Sequence, residues 1–252
     1  MTVRTSAAGA ADWRKAEAFT GNYHAKMDTV QQLLLGAIDD IAIFGAARFS
    51  PVTLCARLKL PPSLVNYHFG SRMGLILDAS VLAYERYVEG QEVALEQPTP
   101  ELQLEYWITA QVEWTAKHSG IASVLNFPGL TGPTNDEFTL EHQARLGRSA
   151  MRNQQVIATI VGKLQGIIGD GELVDLEMAK RHPSITRAAS LIGWMTLGHS
   201  VWKAGHHLPT NEVSEFRQIT EDAAAFIYPT ALLVARNPIS VSHPVGAMRN
   251  KR

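Results

Sequence analysis

The 252-residue chain has a single cysteine, Cys55, so no internal disulfide can form. It also lacks the basic start, apolar run and small-residue cleavage site of a secretory leader, and together these absences predict a reducing, cytoplasmic setting. Long apolar runs are missing too. The uncharged stretch from Ala188 to Trp202 is 15 residues long and holds Ser, Gly, Thr and His, short of the roughly 20 apolar residues of a spanning helix, so no membrane partner is expected. No strand-length alternation of β-branched residues occurs and no repeat of 20–50 residues is visible, which argues against sheets and solenoids. A nucleophile elbow, a Walker loop, a dinucleotide fingerprint and an HExxH pair are all absent. No cofactor, no metal and no enzymatic activity are therefore expected.

Acidic residues are missing from one segment in particular. Gly45 to Arg72 is 28 residues long, carries Arg48, Arg57, Lys59 and Arg72, and has no Asp or Glu. The formal net charge of −1 for the whole chain hides this. Residues 1–72 hold eight basic and five acidic side chains, 73–235 hold eleven and nineteen, and 236–252 hold four and none. A small basic surface beside a body of net −8 is the pattern expected when one end meets a polyanion and the rest must not. With 46% hydrophobic and 19% charged residues, the chain has enough apolar material for a packed core.

Residues 1–27 show no sustained period and read as an N-terminal arm. From Asp28, Val30, Leu33, Leu34, Ile38, Ile41 and Phe44 recur at three- and four-residue spacing, which predicts an amphipathic helix ending at Gly45. Ser50-Pro51 restarts a helix, with Ser as N-cap and Pro at the first position, and turns Leu54, Cys55 and Leu58 inward to about Lys59-Leu60. Pro61-Pro62-Ser63 opens a third short helix through Phe69. Gly70-Ser71 stops it and caps a fourth that runs from Arg72 toward Leu95. Further helices are expected over about 100–118, 136–168, 184–206 and 211–235, with turn-rich connections at 126–135 and 166–171. The fold class is thus all-α, with a three-helix unit at 28–72, a larger helical domain at 73–235 and a basic tail at 236–252.

The second and third helices, joined by a turn of about four residues, form a helix-turn-helix. The residues Phe49-Ser50, Leu54-Cys55-Ala56 and Leu60-Pro61-Pro62-Ser63-Leu64-Val65-Asn66-Tyr67-His68-Phe69-Gly70-Ser71-Arg72 together resemble the N-terminal signature of the tetracycline-repressor (TetR) family of bacterial transcriptional regulators. The resemblance covers about 28–85. It implies a homodimer that binds double-stranded operator DNA, pseudo-palindromic in sequence, as a repressor released by a small-molecule effector. Leu54, Leu58, Leu60, Val65 and Phe69 fall at core-facing spacing. Pro62, Ser63, Leu64, Tyr67 and His68 fall on the exposed face or leading edge of the third helix, where they can reach base edges and phosphates, although Tyr67 and His68 could instead pack onto a neighbouring helix. Ser50 and Thr53 could make the matching contact across the groove. Asn66 stands where the family more often has Tyr, and can face either a base or a phosphate. Ser71 and Arg72, at a helix N-terminus, are the expected phosphate clamps. Lys59 stands where the family has Gly, so a left-handed turn there would strain it.

For the body, the resemblance assigns 184–235 to the dimer contact, and the helix over 184–206 is apolar on more than one face, as a buried or interface helix must be. An effector pocket is expected from Trp107, Gln111, Trp114, Phe127, Met151, Met195, His199 and Trp202, or else these are ordinary core. Two rival readings compete. A metal-responsive switch would use His118, His199, His206 and His207, and a helical enzyme would use Glu137, Glu141 and His142. Neither has the accompanying ligand or carboxylate spacing, and Glu141 with Arg145 reads more simply as a solvated ion pair.

Overall fold

Several of the helix starts marked in the sequence are made by side-chain caps, whereas the third helix, opened at Pro62, has none. In a computed structural model describing residues 28–126, 138–206 and 213–237, with backbone alone over 197–206 and 213–220, ten α-helices and a 3-10 turn account for the ordered elements. The N-terminal arm, Phe127, Glu137, His207 and residues 238–252 of the tail lie outside the described residues, as do the side chains of His199, Trp202 and His206. Helix α1 (Thr29–Phe44) begins where the Asp28 carboxylate accepts from Gln31 N–H at 2.8 Å and ends at Gly45, φ 74°. Helix α2 (Pro51–Leu58) is capped by Ser50, whose Oγ accepts from Thr53 N–H. Helix α3 (Ser63–Phe69) stops at Gly70, and Ser71 caps α4 (Arg72–Gln91), which runs into the 3-10 turn Glu92–Glu96.

The body follows with α5 (Pro100–Lys117), α6 (Ser119–Asn126), α7 (Leu140–Leu164), α8 (Leu176–Arg181), α9 (Pro183–His206) and α10 (Val213–Arg236). Helix α7 starts four residues later than the sequence suggests because Thr139 and His142 form a reciprocal cap. Helix α10 continues through Pro229, which sits exposed on its outer face, so the missing N–H leaves a carbonyl that water can satisfy. No strand occurs among the described residues, and no described helix is long and apolar enough to cross a membrane.

Apolar side chains gather in two clusters. One holds Leu33, Ile41, Leu54, Cys55, Val65, Leu75 and Ile76, all buried. Each fully buried aliphatic side chain there contributes about 1.5–3 kcal/mol. Burial also pushes the Cys55 thiol up, as suits a structural cysteine. The second cluster joins α5, α7, α9 and α10 through residues such as Trp107, Ile108, Ile157, Ile160, Ile185 and Ile192. Helix α4, about 30 Å long for its 20 residues, starts in the first cluster and ends with Tyr87, Val88 and Gln91 buried on the body side.

Helix α6 departs from the sequence expectation. No helix is expected between about 118 and 136, yet Gly120 is helical, and a Cβ there would lie 2.1 Å from the Ile41 carbonyl oxygen. The glycine lets α6 approach the end of α1 and place Ile121 and Val124 in the first cluster. Residues contributed from beyond 72 therefore complete the core of the N-terminal unit.

Candidate nucleic-acid interface

The turn between α2 and α3 is built on Lys59, which has φ 57° and ψ 38° and is the one non-glycine with positive φ among the described residues. A left-handed lysine costs about 1–2 kcal/mol. Lys59→Gly removes that strain but lengthens the list of unfolded conformations, at about 0.5–1 kcal/mol. A net gain of about 0.5–1 kcal/mol is expected, read as a higher midpoint in urea unfolding with an unchanged slope. A lower midpoint would show that the lysine is not strained.

With α2 and α3 set by this turn and by Leu54, Cys55 and Val65 beneath, one edge faces outward. Thr53, Pro62, Ser63, Asn66, Tyr67, His68 and Ser71 are exposed, and Ser50 and Leu64 are half-buried. Tyr67 is 81% exposed, and His68 is exposed against its edge with ring centroids 4.8 Å apart. Packing of either ring onto a neighbouring helix is thereby set aside. Val52, at the start of α2, adds an apolar surface 64% exposed. The four cations of the acid-free segment divide evenly. Arg48 and Lys59 are exposed, whereas Arg57 donates to Asp40 at 2.6 Å and Arg72 points inward.

Arg72 departs from the expected phosphate clamp. Its guanidinium donates from Nε to the Phe49 carbonyl at 3.0 Å, and from Nη2 to the Ala46 and Ala47 carbonyls at 2.5 and 3.2 Å. The physical reason is local. Carbonyls of the turn after α1 lie against the start of α4, and a cation in a helix's first turn gains from partners that offset the unfavourable dipole.

The expected effector residues fall into two groups. Trp107 is buried and donates from Nε1 to Asn153 Oδ1 at 3.2 Å, Gln111 accepts from the Tyr87 hydroxyl, and Trp114 stacks on Tyr87 with centroids 4.6 Å apart. Met195 is half-buried against the body core. Met151 does not join them. It is 71% exposed, because the inner face of α7 is drawn from Ser149, Val156, Ile157 and Ile160, and Met151 lies on the opposite side. Tyr84, Tyr87 and Gln91 on α4 and Asn153 on α7, which the sequence reading did not include, complete this aromatic cluster. A Tyr-Tyr-Gln series at three- and four-residue spacing along a buried stripe was the available signal.

This cluster contains no charged side chain. Burial pushes the Tyr87 hydroxyl well above its ordinary value and raises Tyr84 less. Gln91 donates to Tyr87, while its Oε1 is buried without a hydrogen-bond partner. At the margin, His118 stacks on Trp114 with centroids 5.3 Å apart, and burial pulls its imidazole down to about 4. No group of three or more His, Cys, Asp or Glu side chains suited to a metal occurs among the described residues.

Between this cluster and the exposed edge, α4 and α7 run parallel and are joined by one histidine–aspartate hydrogen bond and two ion pairs. His142 Nε2 meets Asp78 at 2.9 Å, Arg145 binds Glu85 through two hydrogen bonds of 2.9 and 2.6 Å, and Arg152 binds Glu92 in the same two-bond manner. The hydrogen bonds from Arg145 hold the Glu85 carboxyl below its ordinary range. An open cleft of about 400 Å³ lies beside the first pair, bordered by His68, Phe69, Met73, Leu77, Asp78 and His142.

No protein-family model matches the sequence, and comparison with curated proteins finds no match. Solved structures do match in fold. The TetR-family transcriptional regulator PfmR from Thermus thermophilus is 20% identical, with a TM-score of 0.55 over 80% of this chain and 97% of that one. A tetR-family bacterial regulatory protein from Rhodococcus is also 20% identical, at 0.55 over 83% and 98%. The fatty acid degradation regulator FadR from Bacillus halodurans is 13% identical, at 0.53 over 90% and 99%. The chain therefore has the fold of these regulators, all-α with an N-terminal helix-turn-helix and a larger helical domain.

Proposed function

We propose that the protein is a DNA-binding transcriptional regulator rather than an enzyme, a homodimer that represses from a pseudo-palindromic operator and leaves it when a small molecule binds. The observation that carries this reading is the exposed edge formed by α2 and α3. It presents Ser50, Thr53, Pro62, Ser63, Asn66, Tyr67 and His68 with Arg48 and Lys59 nearby, and no acidic residue lies in the segment that builds it. A seven-residue helix with short side chains at its start and an aromatic and an imidazole at its end suits entry into a major groove.

Operators of this kind need two copies. Leu191 and Trp194 on α9 and Phe226 and Leu233 on α10 are exposed apolar side chains, Trp194 at 70% and Phe226 at 83%. Such exposure on adjacent helices suits a self-complementary contact. For the effector, the neutral aromatic site between α4, α5 and α7 takes the uncharged part of a small molecule, and the unpartnered acceptor Gln91 Oε1 favours one with a hydroxyl or N–H donor. Release follows from linkage: a ligand preferring the arrangement unable to span two half-sites lowers operator affinity by its preference between the two states.

The test is to sequence the genomic fragments that the purified protein selects and to titrate one at several salt concentrations. An affinity falling steeply with salt is expected, as is a loss of about tenfold or more in Tyr67→Ala. A protein with no salt-sensitive preference for any fragment would overturn the reading.

A further inference from the structure

Arg72 sits where a cation is electrostatically out of place, in the first turn of α4, whose free N–H groups already carry positive charge. Its side chain turns away from the outer face and reaches back 23 to 26 residues to three carbonyl oxygens, those of Phe49, Ala46 and Ala47. These belong to the short turn joining α1 to α2. Ala46 and Phe49 are themselves buried, at 5% and 3% exposure, so their carbonyls have limited access to water and gain from a fixed donor. Three acceptors shared by one side chain suit a guanidinium, which offers five N–H donors in a rigid fork, better than an ammonium, which is a compact point charge.

The two ends of this brace matter for the interface. On one side, the 46–49 turn leads directly into Ser50, the cap of α2, and carries Arg48 outward. On the other, Arg72 follows Gly70 and Ser71, the corner at which α3 ends. The start of α2 and the end of α3 are thus tied across the head by one side chain. We infer that Arg72 is a positioning residue, which fixes the start of α2 relative to α3 through the 46–49 carbonyls and touches no phosphate itself. This rests on the DNA-binding reading above.

A phosphate ligand and a brace respond differently to substitution. Full-length Arg72→Lys, which keeps the charge, and Arg72→Ala, which does not, are compared with the parent for operator affinity, for the slope of log affinity against log salt, and for amide exchange over residues 46–50. The brace predicts that Lys loses more than half of the loss in log affinity seen with Ala, the Ala loss being about tenfold or more. It also predicts that the salt slope stays at the parent value in both variants, and that exchange over 46–50 quickens in both. Arg72→Lys binding like the parent, or an Ala slope shallower by about one with unchanged exchange, would overturn the inference. Should the parent bind no DNA with salt dependence, the functional reading fails by itself. The exchange comparison then still decides whether Arg72 holds the turn.

Discussion

Trp194→Arg is expected to yield a monomer whose affinity for a two-half-site operator falls by about 10²–10⁴, the factor lost when a tethered second binding event becomes independent. Trp194 is 70% exposed on α9, with Leu191 one turn earlier and Phe226 at 83% on the adjoining α10. In a self-complementary contact the tryptophan of each copy is buried against the other subunit, and large aromatic side chains dominate such interfaces. An arginine in that place buries an unpaired charge in each subunit. Sedimentation should show half the parent mass, and binding to an isolated half-site should be unchanged, because the α2–α3 edge is remote from α9. Met151→Arg supplies the control, since Met151 is equally exposed, at 71%, but lies on α7, and it should remain dimeric with full affinity. A dimeric Trp194→Arg protein would remove α9 from the interface.

The second large effect is one of pH. Burial pulls His118 from an ordinary 6.5 to about 4, against the smaller opposing effect of its hydrogen bond to the Trp114 carbonyl, with Lys117 adding to the depression. The unfolded chain therefore binds a proton at His118 between pH 6.5 and 4 that the folded chain does not. Stability is fully present above the unfolded value and is lost as pH falls toward the folded one. Between about pH 7 and pH 5 the loss through this one residue is about 2 kcal/mol. Glu85 and Glu101, both held below their ordinary range, act at more acid pH. His118→Phe keeps a flat ring over Trp114 and has no proton to gain. The drop in urea-unfolding free energy between about pH 7 and 5 should be smaller in the variant by about this amount. An identical drop in both proteins would show that His118 ionises freely in the folded state.

The elements legible in the sequence are those whose signals are local. Asp28, Ser50 and Ser71 cap helices because their oxygens lie within reach of an amide two or three residues on, and the apolar period of 30–44 reports a buried face whatever buries it. The left-handed turn at Lys59 is legible through the family resemblance, which implies a glycine at that position. Helix α6 is not, because nothing in the residues around Gly120 shows the Ile41 carbonyl that lies beside it. Helix α8 is six residues long with none buried, so no period marks it. Arg72 is recognisable as a cation at a helix start, but its partners are backbone carbonyls, which leave no trace in residue identity. Met151 suits a pocket by its type alone, and the face it occupies on α7 contradicts the type. In the candidate site, the exposed face of α3 is legible, whereas the polar aromatic cluster depends on α4 meeting α5 and α7.

The side-chain pairs between α4 and α7 have a mechanical consequence. Asp78 and Glu85 on α4 and Glu92 just past its end recur every seven residues and face His142, Arg145 and Arg152 on a helix running the same way. Sliding α4 along α7 by one turn, about 5.4 Å, would unseat all three pairs together, whereas rocking the two helices as a unit disturbs none. The pairs thus act as a detent against axial slip. Displacement of α4 is therefore less costly as tilt, with α7 carried along, than as axial slip.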